Sequence, residues 1–75
     1  MTKPSERLAK AIGKRLEALM ENRGYSQKWM ANKTGLSQAA INRYLHGRRI
    51  PAGDCVIAMA KVLRCSTDDI LVGTK

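Results

Sequence analysis

The sequence predicts an all-α fold, a compact bundle of five short helices that forms one domain over residues 1–75. Apolar residues recur three or four positions apart, which is the spacing of one face of an amphipathic helix. No stretch alternates apolar and polar residues for long enough to form a strand. A chain of 75 residues is also too short for more than one ordinary hydrophobic core.

Apolar stripes and capping residues place the five helices at about residues 5–23, 26–33, 37–45, 54–63 and 66–72. The predicted buried face of the first helix carries Leu8, Ile12, Leu16 and Leu19, and that of the fourth carries Val56, Met59, Ala60 and Leu63. Gly24 ends the first helix because glycine adopts the left-handed cap conformation without a steric cost. Ser26 and Ser37 are the predicted N-caps of the second and third helices. Ser66 and Asp69 resemble a capping box for the fifth.

The second and third helices are joined by a short turn, Thr34-Gly35-Leu36, in which glycine allows the chain to reverse. Two helices joined in this way form a helix-turn-helix, a motif whose second helix enters the major groove of DNA. Because a helical hairpin is a common object, the function depends on whether the third helix carries a polar face that can contact bases.

The charge distribution favours a polyanionic partner. The chain has 14 Lys and Arg against 6 Asp and Glu, a formal net charge of +8. An excess of this size on a small domain is typical of nucleic-acid binding. The segment from residue 26 to residue 53 has no acidic residue, and its cations are Lys28, Lys33, Arg43, Arg48 and Arg49. We therefore expect an anion to bind at the middle of the chain.

The third helix separates into two arcs when its residues are placed at about 100° intervals. The polar arc consists of Gln38, Ala39, Asn42 and Arg43. The apolar arc holds Ala40, Ile41 and Tyr44. Gln and Asn can form paired hydrogen bonds with adenine, Arg can do so with guanine, and an alanine methyl can contact a thymine methyl. A merely solvated face carries such residues too, but it ordinarily mixes charge signs, so we predict that the polar arc contacts bases.

Residues on both sides of the polar arc are suited to phosphate contacts. Gln27 and Lys28 lie in the first turn of the second helix, where unpaired backbone amides and the positive end of the helix dipole favour an anion. Ser37 precedes the third helix, and Arg48 and Arg49 follow it. We expect these five residues to position the protein on the DNA backbone.

Two aromatic residues and the single histidine have less specific interpretations. Trp29 is expected to be a half-buried packing residue or part of a protein contact. Tyr44 is expected to pack its ring inward and to leave its hydroxyl near the surface, where a phosphate bond is possible. His46 is expected to be an exposed loop residue.

The sequence predicts neither an enzyme nor a metal protein, and we expect no cofactor. It contains no recognisable motif that pairs a nucleophile with a base, no zinc-ligand spacing and no glycine-rich phosphate loop. Cys55 and Cys65 would lie about 15 Å apart along one helix, too far for an internal disulfide, so reduced thiols are expected. No apolar run approaches the ~20 residues of a membrane span, and no signal peptide is visible. We therefore expect a cytoplasmic protein that associates with the nucleoid through DNA.

Eight short segments occur in a characteristic order and spacing: IGKRL, GYSQ, MA, TGLS, INRY, GRRIP, MAKVL and STDDILVG. Together they resemble the lambda-repressor-like helix-turn-helix domains of phage repressors, Cro proteins and XRE-like bacterial regulators. The resemblance implies that Gln27 holds a phosphate and that the polar arc supplies the base contacts. It implies a core that includes Met30, Ala31, Leu36, Ile41, Val56, Met59 and Leu63. Trp29 occupies a position that is usually polar in this family, which suggests a partner surface.

The main hypothesis is a sequence-specific transcriptional regulator of double-stranded DNA, a phage-type repressor or its DNA-binding domain. It would act as a homodimer on a roughly palindromic operator with half-sites ~34 Å or a multiple apart. Apolar residues near Ile70 to Val72 are expected to be exposed and to form the dimer surface. The alternative hypothesis is an antitoxin-like module that binds a protein partner through Trp29 and Leu45, and its own promoter secondarily.

Overall fold

Five α-helices account for most of the described chain. The computed structural model describes residues 3–73, and the remaining residues of the predicted domain, 1–2 and 74–75, lie outside the described residues. The helices are α1 Pro4–Arg23, α2 Gln27–Thr34, α3 Gln38–Leu45, α4 Gly53–Leu63 and α5 Thr67–Leu71. No strand forms between residues 3 and 73, and no helix in this range is both long and apolar enough to cross a membrane. The predicted all-α class and five-helix bundle are confirmed.

Serine and glycine residues fix the ends of the first three helices. The Ser26 Oγ accepts a hydrogen bond from the Trp29 backbone N–H at 3.0 Å, and the Ser37 Oγ accepts one from the Ala40 backbone N–H at 3.0 Å. Each such cap stabilises a helix by about 1 kcal/mol. Gly24 ends α1 with a left-handed φ of 70°. These two N-caps and the glycine cap are confirmed.

The short helix α5 is held at both of its ends. At its start, the Ser66 Oγ accepts a hydrogen bond from the Asp69 backbone N–H at 3.2 Å, and the Asp69 Oδ2 accepts one from the Ser66 N–H at 3.0 Å. The predicted capping box is therefore confirmed. At its end, the Arg15 guanidinium of α1 donates to the Leu71 carbonyl oxygen at 2.9 Å. A cation at this position also suits the negative end of the helix dipole.

One hydrophobic core receives side chains from all five helices. Its buried residues are Ile12, Leu16, Met20, Met30, Ile41, Tyr44, Val56, Met59, Ala60, Leu63 and Ile70. Leu19, Ala31 and Leu36 pack half-buried against this core. The chain has no phenylalanine, and methionines of α1, α2 and α4 are part of the core.

The sequence-based prediction is wrong for two apolar residues. Leu8, expected on the buried face of α1, is 42% exposed, whereas its neighbour Ala9 is buried. The buried stripe of α1 runs through Ala9, Ile12, Leu16 and Met20, so Leu8 lies at its margin. Ile70, expected to be exposed, is fully buried because α5 packs this side against α1 and α4. Of the proposed dimer surface, only Val72 is exposed.

The turn between α2 and α3 is held by Thr34 and Gly35. The Thr34 Oγ1 donates a hydrogen bond to the Met30 carbonyl oxygen at 2.7 Å and accepts one from the Leu36 backbone N–H at 3.2 Å. Gly35 has a φ of 78°, which lies in the left-handed region that glycine tolerates. Helices α2 and α3 therefore form the predicted helix-turn-helix.

Two glycines allow α1 and the end of α3 to approach closely. A Cβ atom on Gly13 would lie 2.6 Å from the Tyr44 carbonyl oxygen and 2.7 Å from the Leu45 carbonyl oxygen. Gly47 has a φ of 67°, and a Cβ atom there would lie 2.7 Å from the Lys10 Cα. Because main-chain atoms meet directly at this crossing, the position of α3 on the body of the protein is tightly constrained.

Candidate nucleic-acid interface

The polar arc of α3 lies on the outer surface of the protein. Gln38, Ala39 and Arg43 are exposed, and Asn42 is half-buried. On the other side of the helix, Ile41 and Tyr44 are 1% and 8% exposed and belong to the core. The structure therefore brings the four residues predicted to contact bases together on the side of α3 that faces solvent.

A hydrogen bond joins the polar arc to the first turn of α2. The Asn42 Nδ2 donates to the Gln27 Oε1 at 3.2 Å. The sequence suggested a base contact for Asn42 and a phosphate contact for Gln27 but gave no sign that the two side chains meet. Since Asn42 still has a second amide hydrogen and its Oδ1, its capacity for paired hydrogen bonds with a base remains.

The starts of α2 and α3 both present features that suit a phosphate group. Gln27 is half-buried and Lys28 is exposed in the first turn of α2, where the backbone N–H groups have no acceptor within the helix. At the start of α3, Ser37 is exposed, and its hydroxyl oxygen already accepts the capping bond. Its hydroxyl hydrogen can still donate to an anion.

The loop after α3 places two arginines beside the polar arc. Arg48 and Arg49 are both exposed, whereas Ile50 is half-buried and Pro51 is buried. The Arg48 backbone N–H donates to the Arg43 carbonyl oxygen at 3.0 Å. The apolar end of the loop therefore anchors it, and the main-chain bond holds its basic end against the last turn of α3.

The cations of the middle segment all reach solvent. The five that lie between residues 26 and 53 are exposed: Lys28, Lys33, Arg43, Arg48 and Arg49. This segment contains no Asp or Glu, so no acid of its own reduces its attraction for phosphate. The region around α3 thus combines hydrogen-bonding side chains with several exposed cations, which is the combination that DNA recognition requires.

His46 and Tyr44 have local partners. His46 is exposed, as expected, and its Nδ1 lies 2.9 Å from the Asn42 carbonyl oxygen at the end of α3. The Tyr44 hydroxyl contacts the Cys55 Sγ at 3.6 Å. This hydrogen bond, together with burial, raises the pKa of Tyr44. The Tyr44 hydroxyl thus has a partner on α4, and the phosphate bond considered for it stays a prediction.

Both cysteines are free thiols, and both are half-buried. Burial is the main cause that raises the pKa of Cys65, and the Asp69 carboxylate adds to the effect. Both effects disfavour the Cys65 thiolate, which is the reactive form of a cysteine. Within residues 3–73, no three His, Cys, Asp or Glu side chains cluster closely enough to hold a metal ion.

Trp29 and Leu45, the contact residues of the alternative hypothesis, are both half-buried. Leu45 is half-buried and packs against the core, so it is not an exposed anchor. Trp29 is also half-buried, as its packing interpretation required, and its ring stacks on Tyr25 with centroids 3.9 Å apart. Among residues 3–73, the exposed large apolar residues are instead Leu8, Ile57 and Val72.

Two glycines that position α3 against α1 were not predicted from the sequence. Gly13 and Gly47 allow the close helix crossing, and neither was singled out for this role. The available signal was an isolated glycine at position 13 inside an otherwise helical pattern, which often indicates a close backbone approach.

Comparisons with known proteins agree with this geometry. A model of the helix-turn-helix family matches residues 16–70. YonR, an SPbeta prophage-derived uncharacterized HTH-type transcriptional regulator of Bacillus subtilis (strain 168), is 32% identical over 63 residues, which cover 84% of this chain and 58% of the relative. YazB, an uncharacterized HTH-type transcriptional regulator of the same organism, is 29% identical over 62 residues, which cover 83% of this chain and 90% of the relative. The chain thus spans little more than half the length of YonR.

Two solved structures share the fold. The P22 c2 repressor protein, in complex with a synthetic operator, superposes with a TM-score of 0.80 at 28% identity, covering 84% of this chain and 96% of the repressor chain. The restriction-modification controller protein C.AhdI from Aeromonas hydrophila has a TM-score of 0.79 at 22% identity, covering 83% and 94% of the two chains. The second similarity concerns the fold alone.

Proposed function

The chain belongs to the helix-turn-helix family, and we propose that it is a sequence-specific regulator of transcription that binds double-stranded DNA. The proposal rests on the position of the polar arc, which faces solvent while Ile41 and Tyr44 anchor the opposite side of α3 in the core. A rigid helix that presents amide and guanidinium groups in this way can enter the major groove, where all four base pairs are distinguishable.

The residues of the polar arc have distinct roles in this proposal. Arg43 donates two hydrogen bonds to guanine O6 and N7. Asn42 accepts from adenine N6 and donates to N7, and its bond to Gln27 holds the amide plane in place for this contact. Gln38 forms the same kind of paired contact with a second adenine, and the Ala39 methyl contacts a thymine methyl.

Phosphate contacts fix the register of α3 in the groove. Lys28 and the amide group of Gln27 bind the backbone at the start of α2, next to backbone N–H groups that also favour an anion. Ser37 donates its hydroxyl hydrogen, while Arg48 and Arg49 bind beyond the other end of α3. Such contacts carry no sequence information of their own, but they orient the helix so that its side chains reach the base edges.

We extend the proposal to a homodimer that represses transcription. Two copies related by a two-fold axis would place their α3 helices in successive major grooves, ~34 Å apart or a multiple of it, on a roughly palindromic operator. Occupying such a site over a promoter blocks RNA polymerase. The P22 c2 repressor, whose fold this chain shares at 28% identity, supports this mode of action. The protein would act in the cytoplasm, on the nucleoid.

Selection of binding sites from random duplexes tests the proposal. The expected result is one enriched motif of two inverted half-sites with centres about one helical turn, or a multiple of it, apart. The selected duplex should bind at least 10³-fold more tightly than a scrambled one of the same length. Enrichment of a single half-site would contradict the dimer but not the base contacts. Failure to enrich any motif would contradict the function itself.

A further inference from the structure

Helix α2 has a second surface that points away from α3. Gln27 contacts Asn42 of α3, and Met30 is buried in the core. At about 100° per residue, Trp29 lies on the far side of α2 from Gln27. Lys28, Lys33 and Asn32 are exposed in the same half of the helix. We call the surface formed by Tyr25, Ser26, Lys28, Trp29, Asn32 and Lys33 the outer surface of α2.

Trp29 is the centre of this outer surface. Its ring stacks on Tyr25 with an interplanar angle of 25°, and the Lys33 Nζ lies 5.7 Å from the ring centroid. A shallow concavity beside the indole is lined by Ser26, Lys28, Trp29 and Asn32. A fixed aromatic ring next to a concavity is the usual centre of a protein–protein contact, because little side-chain freedom is lost when a partner binds.

The polar groups of the outer surface are suited to a carboxylate. Trp29 is half-buried, so part of its indole ring reaches solvent. Indole nitrogen is a donor only, and an ammonium group is also only a donor. Lys33 lies over the ring and Lys28 lines the concavity, in a segment that contains no acid. An anionic acceptor from outside the chain would therefore satisfy all three donors.

We propose that the outer surface of α2 binds an acidic segment of a partner protein, with glutamate or aspartate side chains at the two lysines and an aliphatic side chain in the concavity. Nucleic acid is the less suitable occupant, because sequence-tolerant binding of single strands depends on stacking of bases on aromatic faces. Tyr25 already covers one face of the indole. Lys28 is also a proposed phosphate contact, so DNA and the partner would compete for this lysine, whereas Trp29 and Lys33 lie on the side of α2 away from Gln27 and are left to the partner.

A peptide titration tests this proposal directly. The probe is a fluorescein-labelled, glutamate-rich synthetic peptide with a central leucine, and its control carries glutamine in place of every glutamate. Trp29 is the only tryptophan of the chain, so its emission reports on the outer surface itself. We expect the acidic peptide to change this emission saturably, whereas the glutamine peptide should bind at least several-fold more weakly.

Matched single-charge variants separate the outer surface from the overall positive charge. Lys33→Gln should weaken binding of the acidic peptide about two- to fivefold, measured by fluorescence anisotropy. Lys61→Gln removes the same charge from an exposed position on α4 and should leave the affinity unchanged. Trp29→Phe keeps an aromatic ring but removes the N–H donor, and it should also weaken binding of the acidic peptide.

Three results would overturn the proposal. Equal weakening by Lys33→Gln and Lys61→Gln would mean that the peptide responds only to net charge. Absence of saturable binding by the wild type would exclude an acidic partner. Tighter binding of a single-stranded oligonucleotide than of the acidic peptide, with the same loss on Lys33→Gln, would assign the outer surface to nucleic acid.

Discussion

Helices α3 and α4 each bury an apolar arc but expose different kinds of surface. The outer side of α3 carries the polar arc, whose only charged residue is Arg43. The outer side of α4 carries Asp54, Ile57 and Lys61, which mix both charge signs with an exposed aliphatic residue. Both helices are anchored in the same core. Folding therefore explains the buried halves of these helices, and only their exposed halves differ in a way that bears on DNA binding.

The largest expected effect concerns salt. If Lys28, Arg48 and Arg49 each neutralise one phosphate in each protomer of a dimer, affinity should fall about 10³-fold between 50 and 200 mM salt. Arg48→Gln with Arg49→Gln should reduce the slope of log affinity against log salt by about 3 to 4. Titrations of a labelled operator duplex at several salt concentrations measure this slope.

The control for this prediction uses α4. Lys61→Gln with Arg64→Gln removes the same charge from exposed residues at the end of that helix and beyond it. The slope should then equal that of the wild type. If both double variants changed the slope equally, phosphate binding would not be localised around α3, and the contrast between the two helices would be lost.

The next largest effect concerns the stability of the protein when Gly13, at the crossing of α1 and α3, is replaced. In Gly13→Ala, the new methyl group would meet the carbonyl oxygens of Tyr44 and Leu45, which are main-chain atoms and cannot rotate away. We expect the free energy of unfolding to fall by about 3 kcal/mol, as measured by urea denaturation. Gly53→Ala at the start of α4 is the matched change, because no atom lies within 4 Å of the added Cβ. It should be neutral or slightly stabilising, and a similar loss in both variants would contradict the close helix crossing.

Arg43 and Arg48 distinguish base contacts from phosphate contacts. Arg43→Ala should cost about 2 kcal/mol on the preferred duplex and relax the sequence preference at one position of each half-site. Arg48→Ala should weaken preferred and scrambled duplexes by similar factors. Competition binding with a set of single-base variants of the site measures both effects. If Arg43→Ala weakened binding of all duplexes by the same factor, Arg43 would not contact a base.

The smallest expected effect compares the N-caps of the two helices. Ser37→Ala removes the side-chain cap of α3 and should destabilise the protein by about 1 kcal/mol. Helix α4 begins after Ala52, which has no side chain that can cap it. Ala52→Ser would offer a cap oxygen where the Cys55 backbone N–H already donates to the Asp54 Oδ1 at 2.9 Å, so it should stabilise the protein by less than about 1 kcal/mol. Thermal denaturation of both variants checks the signs, and a destabilised Ala52→Ser protein would show that the cap geometry at α4 differs from that at α3.

The local features of the fold could be predicted from the sequence because their causes are local. The serines at positions 26 and 37 cap helices whose backbone N–H groups lie three residues away. The two arcs of α3 follow from its angular spacing alone. The helix-turn-helix needed only a glycine between two such helices. None of these inferences required knowledge of how distant segments pack.

The failures concern contacts between distant segments. The spacing of apolar residues in α1 does not give the exact centre of the buried stripe, so it predicted a buried Leu8 although this residue is 42% exposed. The burial of Ile70 depends on how α5 packs against α1 and α4. The bond between Gln27 and Asn42 joins residues on two helices, and only the docking of α3 on α2 creates it.

Modified bases in the selected duplex test most directly whether α3 contacts base edges. Replacing the guanine assigned to Arg43 by 7-deazaguanine removes the N7 acceptor and leaves the rest of the base pair intact. The wild type should lose about tenfold or more in affinity on this duplex, whereas Arg43→Ala should bind the normal and modified duplexes equally. If the modified base weakened both proteins by the same factor, the guanidinium of Arg43 would not contact that base, and the central claim would be contradicted.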